Sequence, residues 1–310
     1  MNKKEHVPVL LDQALEGLNI QSDGWYVDGT FGRGGHSGAI LEHLNSEGRL
    51  LAIDRDPQAI AQLDKALKDD PRFELIQREF AELKIYADER KLLGKVAGLL
   101  LDLGVSSPQL DEAARGFSFQ LEGPLDMRMD PGSGISAAEW LEKTDENDLK
   151  KVLAQMGEER FAGRIARAIV ARRSSQSIRT TKDLADIVKA AVPPHGRRKH
   201  PATKTFQAIR IFINNELGQL QKALDDSLEL LRPGGRLCVI SFHSLEDRRV
   251  KRFMRNASLV PAQFRGLPEI PEEHRPRLKI IGKAVTASEE EIAANVRARS
   301  ARLRVAELIR

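Results

Sequence analysis

Val27-Asp28-Gly29-Thr30-Phe31-Gly32-Arg33-Gly34-Gly35-His36-Ser37 follows directly on Trp25 and Tyr26, and it reads as a strand ending in an acid, then a glycine-rich turn, then a helix start. Glycines at 29, 32, 34 and 35 permit positive φ and let the backbone approach a ligand closely. Ala39, Ile40, Leu41 and Leu44 continue at helical spacing, so N–H groups at the helix start face an anionic group held by the turn. α/β proteins hold nucleotide-like cofactors in this way. The same turn also serves as a plain strand-to-helix connection, so its meaning depends on the residues downstream.

Apolar runs recur at 25–27, 50–53, 73–76 and 96–101, separated by helical stretches such as 58–67. Strands alternating with helices predict a parallel, doubly wound α/β sheet. Two of these strands also end in acids, Asp54 and Asp102. Ligands in open α/β sheets bind off the carboxyl ends of the strands, so Asp28, Asp54 and Asp102 are expected to converge on one crevice. After Pro108 the alternation stops. A Gly-, Pro- and Met-rich loop over 116–134 leads to helical segments at 137–141, 145–155 and 158–171, and Thr180 with Asp183 caps a further helix that Pro193-Pro194 must end. From Phe206 to Leu231 the apolar positions trace one helical face, Pro233-Gly234-Gly235 turns the chain, and 236–241 is a strand. Weaker strands at 278–281 and 303–306 close the sheet. The predicted organisation is a discontinuous sheet domain, 1–109 with 206–310, interrupted by an all-helical insert over 110–205.

A chain of 310 residues has room for about two domains. With 41% hydrophobic and 30% charged residues it is a globular protein, not a disordered one. The first eight residues contain no apolar core of a signal sequence and no run of 18 apolar residues occurs, so a cytoplasmic protein without membrane contact is expected. The single cysteine, Cys238, lies in an apolar run and reads as a buried strand thiol; intrachain disulfides and cysteine zinc sites are excluded. The histidines show no ligand spacing: His195 and His200 flank a basic loop, and His6, His43 and His274 stand alone. No metal is expected. Net charge is only +4, but residues 149–210 hold fifteen Lys/Arg against four Asp/Glu, a local excess of +11. Such concentration is the footprint of a nucleic-acid-binding surface.

Asp54 stands where a carboxylate commonly accepts from a ribose diol, its plain alternative being a helix cap before Pro57. Phe80 lies either against an adenine ring or in the core. Asp102-Leu103-Gly104-Val105-Ser106-Ser107-Pro108-Gln109 is the second chemical motif. Its place after the fourth strand is similar to that of the loop with which many amino-group methyltransferases act on an exocyclic base amine, whose lone pair is delocalised into the ring and which acceptors on its N–H groups make a better nucleophile; Asp102, the carbonyls after it and Ser106 are the candidate acceptors. A strand-end loop with Asp102 as a cap is the plain reading. His36 starts the first crossover helix and is placed at a cofactor's amino-acid end. His243 either borders the substrate pocket or is structural. Arg160, Arg164 and Arg167 share a helical face that runs on into Arg172-Arg173 and later Arg197-Arg198-Lys199, suited to phosphate contacts. The arginines at 297, 299, 302 and 304 add to that surface or form a charged edge strand.

These residues together resemble the ribosomal RNA small subunit methyltransferase H family. The resemblance is carried by His6 to Leu10, Asp28 to Ser37, Asp102 to Gln109, Arg115 to Phe119 with Pro124 to Met129, Thr205 to Ile211, and Ser241 to Arg248. It implies a class I (Rossmann-like) S-adenosylmethionine-dependent methyltransferase sheet, with Gly34, Gly35, His36, Asp54, Phe80, Asp102 and Gln109 contacting S-adenosylmethionine. The loop after Asp102 departs from the polar-Pro-Pro-aromatic pattern of many amino-group methyltransferases, since it lacks the second proline and the aromatic. The implied target is N4 of the cytosine at position 1402 of 16S rRNA, within the 30S subunit. Oligomeric state, a homodimer included, is left open. The competing expectations are a methyltransferase of DNA, other RNA or protein, a non-catalytic ribosome-binding factor, and a nicotinamide dehydrogenase, the last disfavoured because Asp28 to Gly32 lacks the Gly-x-Gly opening.

Overall fold

A computed structural model describes residues 8–193 and 200–310. The basic run 197–199 and His6 and His195 lie outside the described residues. The strands are β1 (Trp25–Asp28), β2 (Arg49–Asp54), β3 (Phe73–Gln77), β4 (Val96–Asp102), β5 (Leu231–Ser241), β6 (Leu278–Val285) and β7 (Arg302–Leu308), in the sheet order β3-β2-β1-β4-β5-β7-β6. The first five are parallel, and β7 runs antiparallel to β5 and β6. This is the doubly wound, mainly parallel sheet that the alternation predicts, in the strand order of the class I sheet that the resemblance implies. Central strands such as β4, with Leu99, Leu100 and Leu101 all inaccessible, read as unbroken apolar runs because helices cover both faces.

Between the strands run α1 (Leu11–Leu18), α2 (Gly35–Glu42), α3 (Pro57–Ala61), α4 (Lys65–Lys68) and α5 (Leu83–Glu89). After β4 the chain is helical: α6 (Ser107–Asp111), α7 (Ala137–Lys143), α8 (Glu146–Gly157), α9 (Ala162–Arg173), α10 (Thr181–Ala191), α11 (Thr203–Ile213) and α12 (Glu216–Leu230). Then α13 (Ser244–Ala257) follows β5, and α14 (Glu289–Ala294) precedes β7. The chain divides into two compact units, one running to Gly104 and resuming over Leu217–Arg310, the other Val105–Glu216. The sheet unit has an apolar core on each face. The helical unit has its own, with Trp140, Leu149, Leu153, Ile165, Ile169 and Leu184 among its buried members. No helix among the described residues is long and apolar enough to cross a membrane.

Several predicted elements are redrawn. The helix expected over 58–67 is two short helices, because Asp64 accepts from Ala66 N and starts a new one. The helix expected from 158 begins at Ala162: Glu158 ends α8 in the left-handed region with φ 49, and the Glu159 carboxylate accepts from Phe161 N. The apolar face from 206 to 231 belongs to two helices. Asn215 adopts φ 45 between them, and the Asn214 side chain donates to Met127 O and Arg210 O while accepting from Met129 N. The strand expected from 236 starts at Leu231, and its register against β4 shifts where Pro233-Gly234-Gly235 bulges. Arg302 and Arg304 do not form the charged edge strand expected of them: β7 is flanked on both sides, and Arg304 donates to Asp247 at 2.7 Å, while Arg297 and Arg299 precede the strand. Thr180 and Asp183 form the expected capping box, and Cys238 is a buried strand thiol.

Candidate active site

The strand order places β2, β1 and β4 side by side, so the carboxylates of Asp54, Asp28 and Asp102 end adjacent strands at the carboxyl edge of the sheet. The chain leaves β1 toward β2 on one side and finds β4 on the other, which makes this the topological switch point. The expected convergence of the three acids is therefore present, but their environments differ.

Asp28 is scaffold. It is 1% exposed, one oxygen accepts from Ser37 Oγ at 2.7 Å, and the other accepts from Thr30 N at 3.1 Å. Burial raises its pKa against those hydrogen bonds. The acid thus ties the glycine turn to the first helical turn of α2. Within that turn Gly34 has φ +76, and a Cβ there would lie 2.7 Å from the Phe31 ring and 2.9 Å from Leu67. A Cβ on Gly35 would lie 2.3 Å from Pro8. The turn therefore closes only with bare backbone at these two positions.

Asp54 is half-buried, and both its oxygens accept from backbone, from Gly32 N at 2.7 Å and Asp56 N at 2.8 Å. Each oxygen keeps acceptor capacity for a further donor such as a ribose hydroxyl. Burial is the largest cause pushing its pKa up to about 6. Asp102 differs from both. Its backbone N donates to Thr30 Oγ1 at 2.6 Å, which fixes the strand end, while its Oδ1 is buried and has no hydrogen-bond partner among the described residues. Burial first, then the charges of Asp28 and Glu246, raise its pKa well above the ordinary carboxylate range. A buried carboxylate oxygen without a donor is what an acceptor looks like before its ligand arrives.

His36 is buried in the first turn of α2, with Nε2 3.2 Å from Val9 O and Nδ1 3.7 Å from Asp102 Oδ2. Phe80, in a turn after β3, is half-buried and packs against the sheet-unit core. His243 caps α13: its Nδ1 accepts from Glu246 N, and the Glu246 carboxylate returns to Phe242 N and His243 N. The cap gives this histidine a structural role through Nδ1, while its Nε2 is buried without a hydrogen-bond partner among the described residues, so capping leaves the reading at the pocket's border open. Thr30 and Glu246 are the site residues that sequence reasoning missed; the His243-x-x-Glu246 spacing is that of a capping box, and Thr30 stood within the glycine motif. Ser106 and Gln109 belong to the helical unit, where Gln109 is buried and its Oε1 accepts from Ser106 N in the capping box of α6.

A ligand with a ribose diol and a cationic amine fits the groups of the sheet unit. Asp54 can take the diol, the orphaned Asp102 oxygen can take an N–H donor, and the turn at Gly34 and Gly35 offers backbone in place of side chains.

In the helical unit the positive charge is divided. Arg173 donates to Leu141 O and Thr144 O at the end of α7, Arg115 to Met129 O, Lys204 to Glu158 O, and Arg210 pairs with Glu216 at 2.8 Å. Arg173 is thereby removed from the expected phosphate face. Arg160 stacks over Phe161, and Arg164 and Arg167 are exposed on α9, the latter only 3.7 Å from Glu146.

A profile of the MraW methylase family matches residues 3–309. Among solved structures the chain is similar to a candidate rRNA methylase from Clostridium thermocellum, at 14% identity and TM-score 0.46, covering 98% of this chain and 100% of that one. It is also similar to an rRNA methylase from Streptococcus thermophilus, at 13% identity and TM-score 0.41 with 96% and 93% covered. A third, a candidate methyltransferase from Streptococcus mutans in complex with S-adenosylhomocysteine, shares 11% identity at TM-score 0.43 with 98% and 99% covered. The profile spans both units, the glycine turn and all three strand-end acids. The chain therefore belongs to the MraW methylase family, the family its motifs resemble, and is an S-adenosylmethionine-dependent methyltransferase.

Proposed function

We propose that this chain methylates ribosomal RNA, and that its target is N4 of cytosine 1402 of the 16S rRNA in the small subunit. Family membership supports methyl transfer, the motif resemblance supports the target, and the cations of the helical unit support a phosphate-rich substrate. The observation that carries the chemistry is the buried, unpartnered Oδ1 of Asp102 at the switch point.

S-Adenosylmethionine supplies an activated sulfonium methyl, so no metal or covalent intermediate is needed and alignment is most of the task. Gly34, Gly35, His36, Asp54, Phe80, Asp102 and Gln109 hold it. The protein's own contribution to the reaction centres on Asp102. Of its two carboxylate oxygens, one takes the cofactor's amino group and the other accepts an N–H of the cytosine amine, which draws the nitrogen lone pair out of the ring. As nitrogen takes the methyl, the cofactor's sulfur leaves as a neutral thioether and nitrogen gives up a proton, for which the ionised Asp102 carboxylate is the acceptor in this reading. Thr30 Oγ1 keeps the Asp102 backbone in register. The helical unit, the expected 110–205 insert within it, serves as the substrate-recognition module, and an exposed or splayed-out base is what it must present.

The test is methyl transfer from labelled S-adenosylmethionine to free 16S rRNA and to 30S subunits, both from cells lacking the protein, with the product nucleoside and its position identified by mass spectrometry. N4-methylcytidine at 1402 is expected, and the preferred substrate dates the step in assembly. Cofactor binding without incorporation into either RNA would overturn the reading.

A further inference from the structure

The helix α13 carries a row of cations that the chemistry at Asp102 does not use. Arg248, Lys251, Arg252 and Arg255 are exposed and recur at spacings of three and four, so they form one stripe along the helix. Both acids of the helix are occupied elsewhere: Glu246 is buried in the cap with His243, and Asp247 accepts from Arg304 at 2.7 Å. Lys251, Arg252 and Arg255 have no side-chain ion-pair partner among the described residues. Like charges at these spacings repel, and a bound anion would relieve that repulsion. Beside it, within the sheet unit, α12 and α13 border a groove of about 660 Å³ lined by Leu217, Gln221, Asp225, Arg248, Arg252 and Phe253 among others. Arg249 fixes the two walls by donating to Leu217 O at 2.9 Å, and Phe253 packs into the core below.

The position of this row relates it to the reaction. β5 pairs with β4 in parallel, with Ile240 opposite Asp102, and α13 starts three residues after the end of β5. The first turn of α13 thus stands at the carboxyl edge where the cofactor binds, and the cations run from about 6 Å to about 17 Å along its axis. That length suits a short run of phosphodiester backbone. Asp225 on the opposite wall, which accepts from Gln221 Nε2, repels phosphate and confines it to the α13 side.

We propose that the α13 row and the groove beside it are a second RNA-backbone site, on the catalytic unit itself, which holds phosphates flanking the target nucleotide. The inference rests on the RNA substrate proposed above. Its test compares Lys251→Glu/Arg255→Glu with Lys279→Glu/Lys283→Glu on the exposed edge strand β6, a pair with the same change in net charge. Binding of the RNA substrate is measured against salt, and KM for RNA and affinity for S-adenosylhomocysteine are measured alongside. For the α13 pair, KM is expected to rise on the order of tenfold and the salt slope to fall by about one to two, the loss of one or two phosphate contacts. S-Adenosylhomocysteine affinity should match the parent protein, which shows the fold intact, and the β6 pair should leave KM and slope as they were. Equal effects from the two pairs, or none from the α13 pair in a protein that methylates rRNA, would overturn the site. If the parent protein binds RNA through α13 yet methylates no rRNA, the site stands and the proposed reaction falls.

Discussion

The two units treat charge in opposite ways. In the sheet unit, acids are few at the strand ends, and each is defined by what it touches: Asp28 is saturated by Ser37 and Thr30, Asp54 is held by two backbone N–H groups, and Asp102 is left with a bare oxygen. In the helical unit, cations are many, and part of them serve the fold, as Arg173 and Arg115 do by donating to buried or half-buried backbone carbonyls. A charge in a sequence is thus a different object according to whether the fold has already supplied its partner. The acid that matters for chemistry is the unsatisfied one, and the cations that matter for RNA are those left over after packing.

The sharpest way to break this comparison is at the acids. Asp102→Asn keeps the size of the side chain and one acceptor but loses the carboxylate that accepts the amine and takes the proton. Methyl transfer under single-turnover conditions is expected to fall on the order of 10²–10³-fold. Asp28→Asn should instead act through the turn, weakening cofactor binding and stability together. If Asp102→Asn kept full rate, the unsatisfied oxygen would have no part in the chemistry.

Gly34→Ala comes next. The added carbon meets the Phe31 ring at 2.7 Å on a backbone with φ +76, so the turn must move or strain. S-Adenosylhomocysteine affinity by calorimetry should drop by about one to two orders of magnitude, the equivalent of about 1–3 kcal/mol of strain. Gly234→Ala, also at positive φ but with nothing within 4 Å of the new carbon, is the matched control and should leave affinity unchanged.

Asp54 sharpens the comparison through pH. Its folded pKa of about 6 lies above the ordinary 3.8, and the ionised form is the one that accepts from Gly32, Asp56 and a ribose hydroxyl at once. Affinity for S-adenosylhomocysteine should therefore weaken as pH falls through 6, by about tenfold from pH 7 to pH 5. Asp54→Asn should be weak throughout and flat with pH. For the unliganded fold the sign reverses: a raised carboxylate pKa means the folded state binds the proton more tightly than the unfolded one, so this group's contribution to stability is lost as pH rises from about 4 to about 6.

How much of this was legible depends on the range over which each contact acts. The glycine turn, the first four strands and the acids at their ends could be read because runs of apolar residues and their terminators are local. The capping box of Thr180 and Asp183 was readable for the same reason. The break at Asn214-Asn215 was not, since α11 and α12 continue one apolar face and the Asn214 partner, Met127 O, is 87 residues away. Thr30 and Asp102 are 72 residues apart, and only the adjacency of β1 and β4 joins them. The cap that His243 makes with Glu246 depends on Glu246 being buried beneath it, a matter of packing that spacing alone does not settle.

The smallest effects test the cations, where the sequence treated alike residues that the fold separates. Arg173 reaches two carbonyls at the end of α7 and is half-buried, whereas Arg164 and Arg167 point outward from the same helix. Arg173→Ala leaves those carbonyls without their donor, so the unfolding midpoint should fall by the equivalent of about 1–3 kcal/mol while the salt dependence of RNA binding stays as it was. Arg164→Glu/Arg167→Glu should do the reverse, with stability within about 0.5 kcal/mol and a salt slope lower by about one to two. Thermal unfolding and salt-dependent RNA binding on the same two proteins decide the matter. If Arg173→Ala flattened the salt slope, or if the α9 pair unfolded the helical unit, the partition between cations that hold the fold and cations that hold RNA would have to be redrawn, because each class is defined by the measurement it leaves untouched.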